Sequence, residues 1–173
     1  MNYVSLSDIA TYQQGKQVPV DLQYDMEKED LGRFVRIIDF TNPGEPPRYI
    51  KDVEKKYYVD ERDLVMIRYG SQTAGKVVRG IAGIIANNMF QIKLQDDRFD
   101  KSFMYHYLSS KDIKTQLMGG QSSSTMPAIT FGMMKNIRVP EFNIIEQKKI
   151  ARFLDLIEEK TNNNNAINDN LAA

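Results

Sequence analysis

The sequence predicts an α+β fold: a twisted, mainly antiparallel or mixed β-sheet carrying a packed helix, followed by a long C-terminal helix of the coiled-coil type. Short apolar and β-branched runs, separated by glycine- and proline-bearing turns, fill roughly the first hundred residues. The hydrophobic period then becomes helical over residues 100–117, and no proline or glycine interrupts residues 144–173. Strands followed by helices are typical of the α+β class.

The strand predictions rest on runs of apolar, β-branched and aromatic residues bounded by turn signals. A loosely alternating stretch, residues 3–13, leads into a turn at residues 15–19. The run RFVRIIDF, residues 33–40, stops at Asn42-Pro43-Gly44, which indicates a strand followed by a turn. Further strands are expected in KKYYV, DLVMIRYG (residues 63–70), KVVRGIAGIIA, NMFQIKL and NIRVP.

Residues 100–117 are predicted to form an amphipathic helix. Apolar side chains recur at positions 103, 104, 107, 108, 113 and 117. Asp100 is a suitable N-cap, and Gly119-Gly120 is a natural stop. The loop GGQSSSTMP that follows combines mobile glycines with short hydroxyl side chains, and Pro127 fixes the backbone behind them. An ordinary solvated loop and a polar reading surface both fit this composition.

The last helix is predicted over residues 144–171, with Asn143 as N-cap and Glu146 three residues later. Its length would be about 40 Å. Steps of four and three residues join one seam: Ile150, Leu154, Ile157, Thr161, Asn164, Asn168 and Leu171. Such a seam can face another helix, with buried asparagines fixing register and partner number. Alternatively, the first turns pack on the chain's own domain and the rest extends into solvent. We expect one domain over residues 1–142 and this helix over 143–173.

Composition limits the chemistry that the chain can perform. It has no cysteine and a single histidine, His106, so thiolate catalysis and Cys-based zinc sites are excluded and a histidine triad is improbable. The N-terminus lacks a secretory pattern, and a cytoplasmic protein is the expectation. Net charge is zero, but residues 32–140 carry 17 basic and 11 acidic side chains. A local basic face is therefore allowed, whereas strong sequence-independent phosphate binding by this chain alone is not.

One catalytic alternative stays open on the residues. Asp39, Glu54 and Lys56 are similar to the spaced Asp…Glu-x-Lys pattern of metal-dependent nucleases. Two carboxylates could bind Mg²⁺ while the lysine stabilised the transition state.

The order of motifs resembles the specificity (S) subunit of type I restriction-modification enzymes over nearly the whole chain. Members show a Gly-Ser/Thr turn with Gly-Lys, a Gly-Ser-x-x-Pro-x-Ile loop, a strand ending in proline, and Glu-Gln-x-x-Ile at a helix start. Here these are Gly70-Ser71 with Gly75-Lys76, residues 124–129, residues 137–140, and Glu146-Gln147-Lys148-Lys149-Ile150. The opening LSDIATYQQGKQVP is also similar to the family's opening.

The resemblance implies a non-catalytic subunit whose target recognition domain reads half of a bipartite site in double-stranded DNA. Methylase and restriction subunits would be its partners, and S-adenosylmethionine would be bound by the methylase, with no cofactor on this chain. Full-length members carry two such domains and two helices, whereas this chain carries one of each. The chain is therefore expected to be either a half-size subunit that forms a homodimer through the seam of the last helix or a fragment of a longer chain. A scaffold that never touches DNA is the remaining alternative.

Loops that read base edges need arginine, glutamine, asparagine and hydroxyl side chains on a rigid frame. With the resemblance, this predicts the following DNA-binding residues: Lys16, Gln17, Arg36, Arg68, Tyr69, Ser71, Gln72, Thr73, Lys76, Asn87, Asn88, Gln121, Ser122, Ser123, Ser124 and Thr125.

Overall fold

The structure is a computed structural model that describes residues 2–42, 44–51, 53–119 and 127–172. The strands are β1 (Tyr3–Ser5), β2 (Ala10–Gln14), β3 (Leu31–Val35), β4 (Arg48–Lys51), β5 (Tyr58–Val59), β6 (Leu64–Ile67), β7 (Val77–Val78), β8 (Gly83–Ile85), β9 (Met89–Leu94) and β10 (Arg138–Pro140). The α-helices are α1 (Leu6–Ile9), α2 (Lys101–Leu108), α3 (Lys111–Gly119), α4 (Phe131–Met134) and α5 (Ile144–Ala172).

The strands pair into two four-stranded sheets and one two-stranded ribbon. The central sheet has the order β2-β9-β6-β7, and all its neighbouring strands are antiparallel. The outer sheet has the order β4-β3-β8-β5 and is mixed, because β3 and β8 run parallel. The ribbon joins β1 to β10, so both ends of the domain meet. The α+β prediction with antiparallel and mixed sheets is confirmed.

The central sheet lies between two hydrophobic cores. Along β6, Leu64 and Met66 belong to the core that contains the helices, whereas Val65 and Ile67 belong to the core shared with the outer sheet. Successive side chains of a strand point to opposite faces, so a strand covered on both sides reads as a continuous apolar run. This arrangement explains the uninterrupted LVMI of β6, all four residues of which are buried.

Two predicted elements end differently from expectation. The strand expected over residues 33–40 stops at Val35, and residues Ile37–Phe40 form a 3₁₀ turn. Here the Asp39 carboxylate accepts the Arg36 backbone N–H at 2.6 Å, and this local bond competes with strand pairing. The helix expected over residues 100–117 is broken between α2 and α3, where Ser110 Oγ accepts the N–H of Ile113.

Both predicted helix caps are present. Asp100 accepts the N–H of Phe103 at 3.0 Å, and Asn143 accepts the N–H of Glu146 at 2.9 Å. The second cap starts α5, whose 29 residues correspond to about 43 Å. The first turns of α5 pack on α2, with Gln147 and Ala151 buried, and from Glu159 onward the described side chains are exposed. Within the described ranges, no helix combines the length and apolarity that crossing a lipid bilayer requires.

Candidate nucleic-acid interface

One edge of the central sheet gathers most of the predicted DNA-reading loops. Gln14 at the end of β2 pairs with Phe90, and Ile67 at the end of β6 pairs with Met89 at the start of β9. Met66 pairs with Val77, the first residue of β7. Because the strands are antiparallel, residues 15–17, 68–76 and 86–88 all emerge at the same end of the strands. We call this end of the central sheet the loop edge.

Backbone hydrogen bonds hold the bases of these loops together. Asn87 N–H donates to Lys16 O at 3.0 Å, and Lys16 N–H donates to Ile85 O at 2.8 Å. Arg68 N–H donates to Asn88 O at 2.9 Å. Three segments that are distant in the sequence are therefore fixed as one surface.

Residues 128–129, which follow the GGQSSSTMP segment in the sequence, also lie at the loop edge. Ile129 N–H donates to Arg68 O at 2.8 Å, and Tyr69 and Ala128 form an isolated β-bridge. Gly75, at φ +78°, sits against Leu117 and Ile129, where a β-carbon would lie 3.7 Å from each side chain. The predicted residues Gln121, Ser122, Ser123, Ser124 and Thr125 themselves lie outside the described residues.

The residues predicted in segment 68–76 divide into inward and outward sets. Arg68 Nε donates to Ile129 O at 3.2 Å, and its guanidinium lies 5.1 Å from the Tyr69 ring and 5.7 Å from the Phe131 ring. Thr73 Oγ1 donates to Tyr69 O at 2.9 Å, inside the turn. These contacts give Arg68 and Thr73 a structural role. The side chains exposed to a partner are those of Ser71, Gln72 and Lys76.

The other two segments offer a similar mixture. Lys16 is half-buried, with Nζ 5.3 Å above the Tyr57 ring, and Gln17 is exposed. Asn87 and Asn88 are half-buried, and the buried Oδ1 of Asn88 has no hydrogen-bond partner within the described part of the chain. An unsatisfied buried acceptor costs free energy, but solvent does not reach this atom, so a partner could bond it only after a local rearrangement.

A groove of about 610 Å³ extends the loop edge towards the outer sheet. Its polar lining combines predicted and unpredicted residues: Gln23, Arg36, Thr41, Arg48, Asn87 and Asn88. The guanidinium of Arg36 donates to Asp39, to Glu45 and to Pro46 O, so its position is fixed. Arg48 forms an ion pair with Asp25. Sequence reasoning missed Gln23, Thr41 and Arg48, which lie on separate segments that share no motif.

The contacts of the nuclease candidates are those of structural ion pairs. The Asp39 side chain is 1 % exposed and pairs with Arg33 at 3.0 Å and with Arg36 at 3.1 Å. Two guanidinium groups around one carboxylate oppose the approach of Mg²⁺. Glu54 pairs with Lys56 at 2.7 Å, and that hydrogen bond lowers the pKa of the Glu54 carboxyl.

The seam predicted on α5 coincides only partly with the exposed apolar surface. Ile150 packs on the domain core and Leu154 is half-buried, whereas Ile157 and Leu171 are exposed. Thr161, Asn164 and Asn168 are exposed and polar. Sequence reasoning missed the exposed Phe153, Leu156 and Ile167. With Ile157, Asn164 and Leu171 they form one stripe, which we call the α5 ridge. The ridge shares these three residues with the predicted seam but contains Phe153 in place of Leu154 and Ile167 in place of Asn168.

A layered domain that presents polar loops from one sheet edge, with a long helix leaving it, defines a recognition module. The whole chain, residues 1–173, matches the model of the type I restriction modification DNA specificity domain, and the protein belongs to that family. The resemblance expected from the motifs is confirmed.

Individual relatives agree with this assignment. The chain is 25 % identical over 155 residues to the specificity subunit of type I restriction enzyme MjaVIII from Methanocaldococcus jannaschii, covering 87 % of this chain and 34 % of the relative. The fold is similar to the HsdS subunit from Thermoanaerobacter tengcongensis, with a TM-score of 0.67 at 18 % identity over 92 % of this chain and 37 % of that one. The type I S subunit from M. genitalium gives a TM-score of 0.67 at 17 % identity, covering 94 % and 40 %. The chain thus spans well under half the length of these proteins.

Proposed function

We propose that this protein reads one half of a bipartite DNA sequence with its loop edge and directs the methylase and restriction subunits of a type I restriction-modification complex to that site. The carrying observation is the convergence of residues 15–17, 68–76 and 86–88 on one edge of a rigid sheet in a member of the DNA specificity family. In this proposal the chain supplies recognition, and the partner methylase binds S-adenosylmethionine and performs the chemistry.

The exposed chemistry of the loop edge suits base reading. Glutamine and asparagine amides can form two hydrogen bonds with adenine in the major groove. A hydroxyl group can act either as a donor or as an acceptor to a base edge. Gln17, Ser71 and Gln72 are exposed on loops whose bases are fixed by the sheet. Lys76 supplies an exposed cation for a phosphate. Because net charge is zero, partner subunits would provide much of the remaining phosphate neutralisation.

A selection experiment tests this proposal. The purified chain is used at low salt to enrich duplexes from a random library, and the dissociation constant Kd is then measured for the enriched and an unrelated duplex. We expect Gln72→Ala to weaken binding of the enriched site by about 1–3 kcal/mol without affecting unrelated DNA. Lys76→Gln should weaken both duplexes by similar factors.

The controls are Gln95→Ala and Lys149→Gln, which change the same residue types at exposed positions on the other end of the central sheet and on α5. Both should leave the two dissociation constants unchanged. Enrichment of no sequence, or equal losses for Gln72→Ala and Gln95→Ala, would contradict reading by the loop edge.

The same proposal includes a homodimer in which the helix of residues 143–173 pairs with that of a second copy and residues 1–142 form the recognition domain. The α5 ridge supports the dimer, because Phe153, Leu156 and Ile157 are 65, 49 and 47 % exposed on one side of the helix. Large apolar side chains exposed together are typical of a surface that a partner covers. Asn164 lies in the same stripe and could fix the register of the pair. A two-fold axis would place two recognition domains over an interrupted palindrome.

Sedimentation equilibrium tests the dimer. The wild-type chain should be dimeric at micromolar concentration, and Ile157→Asp should make it monomeric. The variant should still show a cooperative thermal unfolding transition, which would show that the domain remains folded. Asn162→Asp places a charge on the opposite side of the helix and should leave the dimer intact. A monomeric wild-type chain would refute self-association while leaving DNA reading by the loop edge open to its own test.

A further inference from the structure

A polar network fixes α5 to the domain, and it is centred on Arg79. Its Nη2 atom lies 2.6 Å from Asp155 Oδ1 and 3.1 Å from Glu158 Oε2, and both carboxylates belong to α5. Its Nη1 atom donates to Ser102 Oγ at 2.8 Å. The guanidinium also lies 3.8 Å from the centre of the Tyr105 ring, so one side chain links β7, α2 and α5.

Two neighbours on α2 complete this network, which we call the α5 joint. Tyr105 donates its hydroxyl hydrogen to Glu158 Oε1 at 2.7 Å, and His106 Nε2 lies 2.7 Å from Asp155 Oδ1. Burial and the Glu158 carboxylate raise the pKa of Tyr105 to about 12, so the phenol remains a donor. Asp155 and Glu158 therefore each have two partners on the domain. Bonds to a planar guanidinium and contacts with a ring face both depend on direction, so they restrict the orientation of α5.

A second anchor lies two turns earlier in α5. Gln147 is fully buried; its Nε2 donates to Arg98 O and Phe142 O, and its Oε1 accepts the N–H of Asp100. One anchor alone would leave α5 able to pivot. Gln147 and Glu158 are about three turns apart, so the two anchors together define the direction of α5 relative to the sheet.

The α5 joint lies at the end of the central sheet opposite the loop edge. Arg79 follows the last residue of β7, whereas the loop edge lies at the first residue of that strand. The neighbouring strand β6 has four residues and spans about 13 Å between the two ends. A rotation of about 15° at the joint would move the loop edge by about 3.5 Å, which is close to the rise of one base pair.

Resting on the proposed function, we propose that Arg79 is a positioning residue that sets the angle between α5 and the recognition sheet and thereby selects the number of base pairs between the two half-sites. His106, Asp155 and Glu158 also lie close enough together to suggest a cation site, with ligand atoms within 4.8 Å of one another. Arg79 already supplies the positive charge that these carboxylates need, so the cluster acts as a joint.

An intramolecular distance measurement tests the joint without DNA. The chain has no cysteine, so Ser71→Cys on the loop edge and Asn163→Cys on α5 can be spin-labelled selectively. The doubly labelled chain is diluted in excess unlabelled chain, and the distance distribution is recorded by electron paramagnetic resonance. We expect Arg79→Ala to broaden the distribution about twofold, and Arg79→Lys to give an intermediate width because an ammonium cannot reproduce the planar guanidinium geometry.

Arg98→Ala is the matched control. Arg98 also bonds two carboxylates, Asp96 and Glu141, but its side chain contacts neither Asp155 nor Glu158 and is 69 % exposed. Its distribution should remain as narrow as that of the wild type. A narrow distribution for Arg79→Ala, or equal broadening for Arg98→Ala, would overturn the role of Arg79. Glu158→Gln provides a second variant of the joint should Arg79→Ala fail to fold.

DNA binding then tests the consequence. Duplexes carry two copies of the enriched half-site separated by spacers that change one base pair at a time. For Arg79→Ala, affinity for a single half-site should stay unchanged, while the preference for the best spacer over its neighbours should fall from about tenfold to about twofold. Retained spacer selectivity in a chain whose distance distribution has broadened would overturn the link to spacing. Absence of half-site binding by the wild type would instead refute the proposed function and leave the distance result standing.

Discussion

The two ends of the central sheet use polar side chains in opposite ways. At the α5 joint, the Arg79 guanidinium bonds both Asp155 and Glu158 on α5 and lies over the ring of Tyr105 on α2. At the loop edge, Gln72 and Lys76 are exposed on a turn whose shape is held mainly by backbone hydrogen bonds. A polar group that is satisfied within its own chain contributes order, whereas one left exposed on a rigid turn remains available to a partner.

The comparison also separates residues of one type within the loop edge. Arg68 and Lys76 are both basic and eight positions apart, yet Arg68 is half-buried against two aromatic rings and Lys76 is exposed. Residue type alone assigns both to DNA. The contacts of Arg68 favour a role in the scaffold, and the exposure of Lys76 makes it the better candidate for a phosphate.

Among substitutions that remove hydrogen bonds between α5 and the domain, the largest loss of stability is expected at Gln147. Replacing this buried side chain by leucine removes three hydrogen bonds and leaves two carbonyls and one N–H without partners. Gln147→Leu should lower the free energy of unfolding by about 3 kcal/mol, measured by chemical denaturation. Gln95→Leu, at an exposed position, should change it by less than about 0.5 kcal/mol. Similar values for the two variants would show that α5 is not anchored through Gln147.

An intermediate loss of stability is expected at Arg68. The same variant tests whether Arg68 belongs to the scaffold or to the DNA-reading surface. Arg68→Ala removes the bond to Ile129 O and both ring contacts, and should cost about 1–2 kcal/mol of unfolding free energy. Arg62→Ala, at an exposed position, should cost less than about 0.5 kcal/mol. Unchanged stability of Arg68→Ala together with loss of sequence-dependent binding would move Arg68 from the scaffold to the reading surface.

Much of the local structure could be predicted because its causes are local. Asp100 and Asn143 cap helices through bonds to residues three positions later, and such spacing is visible in a sequence. The strands β6 and β9 follow from compact runs of apolar residues bounded by polar turns. The 3₁₀ turn at Ile37–Phe40 was missed, although its cause, Asp39 bonding back to Arg36, is also three residues away.

The joint could not be predicted, because its partners are distant in the chain. Arg79 is 76 residues from Asp155 and 79 from Glu158, and no periodicity connects them. The exposed stripe of α5 was misplaced for a related reason. A heptad identifies an apolar seam, but which turns the domain itself covers depends on where Gln147 and Ala151 are buried. Tertiary packing therefore decides which apolar side chains remain for a second helix.

The smallest expected effect concerns pH at the joint. Burial by itself raises the pKa of the Asp155 carboxyl, but the hydrogen bonds from Arg79 and His106 outweigh it, and the net pKa is lowered. Because the folded state holds this proton more weakly than the unfolded state, the carboxylate stabilises the fold above its ordinary pKa of 3.8, and this contribution is lost as the pH falls through the lower folded value. The side chain is 40 % exposed, so solvent screening should keep the contribution below about 1 kcal/mol. Wild type and Asp155→Asn should therefore differ in unfolding free energy at pH 6 (about two units above that pKa) and converge in acid, with Asp97→Asn as an exposed control. A difference that grew as the pH fell would show that Asp155 is not stabilised as a carboxylate, and the joint would then depend on Glu158 alone.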